Sequence, residues 1–289
     1  MIDAHQHIWR ITRPECQWPT SDLAAIYKDF DYGDYLLETS HLPLAGSVLV
    51  QSQEADADTD FLLGVAAHTP AVLGVVGWVD LSDASAAKRI QALCAAHPKL
   101  CGLRPMLQGI TDTAWLLTKP RAEALSAMAE QELVFDALIQ PRHLPVLVEF
   151  ARKHKSLRIV IDHAAKPAIR DLQWEDWRRG MDALGQCDNV YCKISGLLTE
   201  AQIGQVGRAE CFQPYVSAVW DSFGIDRCLW GSDWPVVNLV SSLEAWHRLS
   251  ASLLEAYCSQ RVGMDAARCA DRLFDRTARE VYQLGQKMQ

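Results

Sequence analysis

Short apolar runs alternate with longer stretches of helical period along most of the chain. The first run, residues 1–9, contains His5-Gln6-His7, and a strand's period of two sets both imidazoles on one side. Residues 10–30 then show no clear period and carry Trp18, Pro19, Tyr27 and Phe30. A loop of that length in a compact domain usually has a function. It can fold over the histidines, or its aromatics can simply pack it down. Beyond it the pattern predicts a strand at 47–51, a helix at 58–68 with Phe61, Leu62 and Val65 on one face, a strand at 72–79 and a helix at 84–96. The alternation continues with a strand at 101–104, a helix at 121–132, a strand at 133–139, a helix at 144–154 and a strand at 157–162. A Trp-rich helix, a strand at 189–194, a helix at 214–223 and a strand at 227–230 complete it.

Eight strands separated by helices predict an α/β protein whose parallel sheet closes into a (β/α)8 TIM barrel, one domain over residues 1–289. A doubly wound open sheet is the runner-up, disfavoured because no Gly-x-Gly-x-x-Gly follows an early strand. Leu157-Arg158-Ile159-Val160-Ile161 is nearly all apolar, as burial on both faces of a parallel sheet requires. The last helical segment, 266–284, is expected to close the barrel from outside through Leu273, Val281 and Leu284.

With 49% hydrophobic and 22% charged residues, the chain has a globular composition, and it holds no run long enough to cross a membrane. Its start shows no basic segment followed by an apolar one, so a cytoplasmic protein is expected. Nine cysteines without Cys-x-x-Cys spacing predict reduced thiols. A net charge of −8 and no basic patch argue against nucleic acid.

Barrels of this kind carry their chemistry at the carboxyl ends of the strands. The candidates there are His5, His7, Gln51, Trp78, Asp80, Arg104, Asp136, Asp162, His163, Lys193, Ser195 and Asp233. Pro105, Pro141, Pro167 and Pro235 follow strands and stiffen the loops. The His5/His7 pair suits a divalent cation or a developing oxyanion, or else it is a polar strand end facing water. Asp233, set between Trp230 and Trp234, is open to desolvation that raises its basicity. Arg104 and Lys193 can bind a carbonyl or sugar hydroxyls, or can be internal ion-pair partners of Asp136 and Asp162. Gln51, Trp78 and Asp136 are further binding candidates, and Trp18 offers a flat face for a sugar. His143 can approach the site or simply begin a helix.

Leu229-Trp230-Gly231-Ser232-Asp233-Trp234-Pro235, together with His5-Gln6-His7 and Asp162-His163-Ala164-Ala165-Lys166-Pro167, resembles the amidohydrolase superfamily. More narrowly, it looks like the sugar-lactone hydrolase branch of fuconolactonase-like and rhamnonolactonase-like enzymes, related to the pyrone-dicarboxylate lactonases. Trp18-Pro19, Lys28-Asp29-Phe30, Gly102-Leu103-Arg104 and Tyr191-Cys192-Lys193-Ile194-Ser195-Gly196-Leu197 also match, so the resemblance covers residues 3–282. Binuclear members place a lysine on the fourth strand and a histidine on the fifth, where this chain has Arg104 and Asp136. The resemblance therefore implies one divalent, zinc-like metal held by His5, His7 and Asp233, or metal-independent catalysis. It implies hydrolysis of an aldonolactone, such as L-fucono- or L-rhamnonolactone, to the aldonic acid. Asp233 is then the general base and acid, and His5, His7 and His163 stabilise the oxyanion. The expected partner is a small-molecule sugar lactone, with neither nucleic acid nor membrane, and a homo-oligomer is compatible with the sequence. Two rivals are a metal-dependent decarboxylase of the same superfamily and a non-catalytic sugar-acid binding protein.

Overall fold

The computed structural model describes residues 1–172 and 174–285, so residue 173 and the last four positions of the expected domain lie outside the described residues. Eight strands run in the order β1 Ile2–Gln6, β2 Gly46–Val50, β3 Val72–Gly77, β4 Leu100–Leu103, β5 Val134–Ala137, β6 Ile159–Ile161, β7 Val190–Ile194 and β8 Cys228–Trp230. Each pairs in parallel with its sequence neighbour. Closure between β8 and β1 comes from just past the last strand: the Asp233 amide donates to the His5 carbonyl at 2.8 Å, and the His7 amide to the Trp234 carbonyl at 2.7 Å. The barrel is thus shut by the backbone of its own candidate site.

Helices α1 Tyr32–Glu38, α2 Asp56–His68, α3 Ala86–Ala96, α4 Trp115–Thr118, α5 Ala122–Glu130, α6 Leu144–Lys153, α7 Glu175–Gly185, α8 Ala209–Phe223 and α9 Leu243–Ser259 surround the sheet. No helix among the described residues is long and apolar enough to cross a membrane. Cys16, Cys187, Cys192, Cys211, Cys228, Cys258 and Cys269 are free thiols. Three helices, α1, the four-residue α4 and α9, escaped the sequence pattern. The short α1 is fixed by a capping box between Asp31 and Asp34, and α9 by the Ser242 side chain accepting from the Ala245 amide. α8 begins a turn earlier than predicted, with Pro214 inside it.

The strands bury both faces, as their apolar composition requires. Outward residues such as Leu49, Phe135, Ile159, Ile161 and Trp230 pack under the helices. A separate inner cluster holds Ile2, Ala4, Val48, Val50, Val76, Val134, Val160 and Leu229. The register of β1 against β2 shifts between Asp3 and Gln6. Past that irregularity His5 reaches the barrel interior, while Gln6 turns its amide to the Ser47 hydroxyl, 3.1 Å away.

The C-terminal segment corrects an expectation. It is helical without a break over 266–282, as α10 Ala266–Asp271, a π-helical turn Arg272–Arg276 and α11 Thr277–Tyr282, but its place against the barrel differs. Leu273 does pack in the outer core, but Ala278, Val281, Tyr282 and Leu284 join the inner cluster. With α9 already supplying the helix after β8, α11 plugs the barrel interior instead of wrapping it. Tyr282 reaches in far enough for its hydroxyl to donate to Asp136, 2.9 and 2.8 Å from the two carboxylate oxygens.

Candidate active site

Three strand segments converge on one carboxylate oxygen. His5 Nε2 lies 3.7 Å, His7 Nε2 3.3 Å and His163 Nε2 3.9 Å from Asp233 Oδ1, and His5 and His7 face each other at 3.2 Å between their Nε2 atoms. All four residues are buried. The period of two in His5-Gln6-His7 predicted the first meeting, and barrel closure produced the others.

Local contacts fix how each ring is presented. His7 Nδ1 lies 2.8 Å from the Val50 carbonyl and so donates its hydrogen there, which turns Nε2 toward Asp233. His5 Nδ1 lies 3.3 Å from Asp162 Oδ1, and Arg104 Nη1 lies 3.3 Å from His5 Nε2, so the ring is gripped on both nitrogens with Nε2 toward the site. His163 Nδ1 meets the Ser195 hydroxyl at 2.9 Å. Gly196 has φ +63°, and a Cβ there would stand 2.4 Å from His163 Nδ1, so the backbone must be bare for the ring to fit. His163, Ala164, Ala165 and Lys166 form a consecutive run of positive φ (53°, 48°, 59° and 51°), and Asp233 adds another at 57°. Such conformations are costly for non-glycine residues and gather at functional sites. The run is anchored by the Trp177 indole donating to the Ala164 carbonyl at 2.7 Å.

Beneath the histidines lies a layer of buried charge. Lys193 donates to Asp136 and lies 2.9 Å from Asp162 Oδ1 and 3.2 Å from His5 Nδ1, with no exposure of any of the three charged side chains. Arg104 donates to the Gln51 carbonyl, with Asp162 Oδ2 3.4 Å away, while the Gln51 amide returns a bond to the Arg104 carbonyl at 2.7 Å. Of the two readings for Arg104 and Lys193, the ion-pair reading describes their contacts. Lys193, Asp136 and Gln51 are fully buried, as is His5.

Burial by itself would lower Lys193, but Asp136 and Asp162 hold its ammonium above the usual range. Burial would raise Asp162, and Lys193, His5 and Arg104 instead hold it well below the ordinary carboxylate range. Asp136 is pushed up to about 6 by burial, against the pull of Lys193. Burial drives His5 well below the usual imidazole range and His163 down to about 4, so both are neutral near pH 7. Burial would raise Asp233, but His163, His7 and His5 hold it low, so it is ionised. The expectation that desolvation makes Asp233 more basic is overturned by the imidazoles around it.

His5 Nε2, His7 Nε2 and Asp233 Oδ1 point at one another, a convergence that a shared proton or a cation between them would satisfy. Tetrahedral zinc with bonds of 2.0–2.1 Å separates neighbouring ligand atoms by about 3.3 Å. The 3.2, 3.3 and 3.7 Å separations among His5, His7 and Asp233 fit that spacing. The donor set therefore suits one divalent ion, and His5, Asp162 and His163 form a second trio able to hold one. Asp162 was seen in the sequence as a strand-end carboxylate, and its place beside His5 is what the strand pattern missed.

The predicted loop lies beside the site. Its ends pair through Trp9 and Phe30 at 3.0 Å, Trp18 packs edge-on against Trp9 at 5.2 Å, and the Trp9 ring lies 6.3 Å from that of His7. Trp18 is half-buried in the layer behind His7, held by the Gln53 amide donating to its carbonyl at 2.6 Å. Trp78 falls one residue past β3, where its backbone is tied to the Thr59 hydroxyl. His143 starts α6, and its Nδ1 takes the Gln140 amide at 3.1 Å.

The sequence profile of the amidohydrolase family matches residues 2–284. The chain is 44% identical over 268 residues to an L-fucono-1,5-lactonase of Burkholderia ambifaria, covering 92% of this chain and 90% of that protein. It is 32% identical to an L-fucono-1,5-lactonase of Burkholderia multivorans, covering 93% and 95% of the two chains. Among solved structures, an amidohydrolase from Burkholderia multivorans with bound zinc superposes with a TM-score of 0.85 at 29% identity, over 98% of this chain and 99% of that one.

Proposed function

The chain belongs to the amidohydrolase family, and we propose that within it this protein is a hydrolase that opens a sugar lactone to the aldonic acid, L-fucono-1,5-lactone being the first substrate to try. The observation that carries this reading is the meeting of His5, His7 and His163 around Asp233 Oδ1. The lactonase name borne by two relatives supports an ester of a sugar acid as the bond cleaved.

In the proposed mechanism Asp233 Oδ1 is taken up by the imidazoles, and Oδ2 receives the proton of the attacking water. The same carboxyl then passes a proton to the departing ring oxygen. With the Ser195 hydroxyl donating to Nδ1, neutral His163 carries its hydrogen on Nε2 and donates it to the carbonyl oxygen as negative charge develops. His5 and His7 both point Nε2 at Asp233 Oδ1, so they serve as metal ligands more readily than as oxyanion donors. A divalent ion held by His5, His7 and Asp233 would supply Lewis-acid polarisation of the carbonyl or a more acidic water. Arg104 and Lys193 act in this reading by fixing His5 through Asp162, not by touching the lactone.

The test follows proton release with a pH indicator from a panel of sugar lactones, for the purified protein and for Asp233→Asn, each with and without a chelator. Removing one such group typically costs two to three orders of magnitude, about 3–4 kcal/mol. Asp233→Asn is expected to lose at least a hundredfold in rate, and a variant within tenfold of the wild type would sink the assignment. Release of carbon dioxide from an aromatic acid, with silence on every lactone, would turn the reading to the decarboxylase. Saturable binding without acid production would turn it to the binding protein.

A further inference from the structure

The loops after β4, β5, β6 and β7 form an open cavity of about 330 Å³ lined by Gln108, Gln140, Arg142, Lys166, Arg170 and Glu200 with their neighbours. That is the small end of the range for small-molecule pockets. The two arginines already have structural work. Arg142 donates to the carbonyls of Gln108 and Ile110, both at 3.1 Å, and to Gln140 Oε1, clamping two loops together. Arg170 ties the β6 loop to the β7 loop through the Thr199 carbonyl at 3.2 Å.

Lys166 and Glu200, 3.0 Å apart, join the same two loops, but as a pair about one-fifth exposed (22% and 20%) and so open to exchange with a ligand. Both are held against the catalytic candidates. Lys166 ends the left-handed run, its amide donating to the His163 carbonyl at 2.8 Å. Glu200 ends the turn Leu198–Glu200, whose Thr199 hydroxyl donates to the carbonyl of Gly196, the residue that makes room for His163. A partly solvated ion pair returns little stability, far less than four successive left-handed residues cost. Stability is therefore a poor account of why the chain holds a lysine there.

An ammonium beside a carboxylate offers donors and acceptors side by side, which is the complement of two neighbouring hydroxyls, each able to give and take a hydrogen bond. We infer that Lys166 and Glu200 form a specificity subsite for vicinal ring hydroxyls of the substrate, with the Gln108 and Gln140 side chains completing the wall of the cavity. The subsite rests on the lactone-opening reading: it would take the polyol portion while the lactone carbonyl meets Asp233.

The experiment compares kcat/KM on L-fucono-1,5-lactone with that on δ-valerolactone, which has no hydroxyls, for the wild type, Lys166→Met and Glu200→Gln. Each variant should lower the ratio of the two values by roughly 10–100-fold, chiefly through KM for the hydroxylated lactone. The double variant should fall by less than the product of the single effects, because both groups serve one diol. An unchanged ratio, or an equal fall on both lactones, overturns the subsite while leaving lactone hydrolysis intact. If the wild type opens no lactone, the lactonase reading fails by itself, and calorimetric binding of L-fuconate decides the subsite. Affinity weakened at least tenfold in both variants then supports it, and equal affinity overturns it.

Discussion

Lys193 and Lys166 both join the sixth and seventh strand segments through a carboxylate, yet they stand at different depths. Lys193 is wholly buried between Asp136 and Asp162, whereas Lys166 sits at the rim with Glu200, about one-fifth exposed. The same two functional groups therefore do different things. In the interior each charge needs its partner because water cannot replace it. At the rim water competes for both groups, so the pair can exchange its partner for a ligand at little cost. Depth, not residue type, separates the group that holds His5 from the group that can meet a substrate.

The sharpest way to break this comparison is Lys193→Met, which strands two carboxylates beside His5. Unfolding by denaturant should show a loss of about 3–5 kcal/mol, as for other buried pairs stripped of one partner. A loss under about 1 kcal/mol would mean that water reaches the interior. A medium-sized effect comes from pH. Asp136 titrates at about 6 in the folded chain against an ordinary 3.8. The folded state thus keeps a proton that the unfolded chain has released. This contribution is fully present below the unfolded value and is lost as pH rises through about 6. Measured by calorimetry, the melting temperature of the wild type minus that of Asp136→Asn should fall between pH 4 and 6 and then level off. A difference that grows with pH would instead show Lys193 controlling Asp136 alone. The smallest effect is expected at the rim, where Lys166→Met should change unfolding stability by less than about 1 kcal/mol. A larger loss would make Lys166 and Glu200 a structural pair.

The candidate site was legible where chemistry and local period coincide. His5 and His7 are two residues apart on a strand, and His163 and Asp233 follow apolar runs that could only be buried strands. Arg104 and Lys193 could not be resolved between substrate binding and internal pairing, because the choice depends on what faces them across the barrel. Lys193 meets His5 from 188 positions away, and Tyr282 meets Asp136 from 146. The Lys166–Glu200 pair was equally hidden, since its parts lie 34 positions apart on loops without period.

The sequence by itself determined the eight strands, the parallel barrel and the rim on which His5, His7, His163 and Asp233 stand, because side-chain period and burial are set within a few residues. Tertiary structure alone decided three other things. The irregularity in β1 turns His5 inward, α11 plugs the barrel with Tyr282 instead of covering it, and the imidazoles keep Asp233 ionised. Each depends on which segments barrel closure brings within a few ångströms. The strength of a charge or a hydrogen bond follows from that proximity and the water it excludes, neither of which is written in local order.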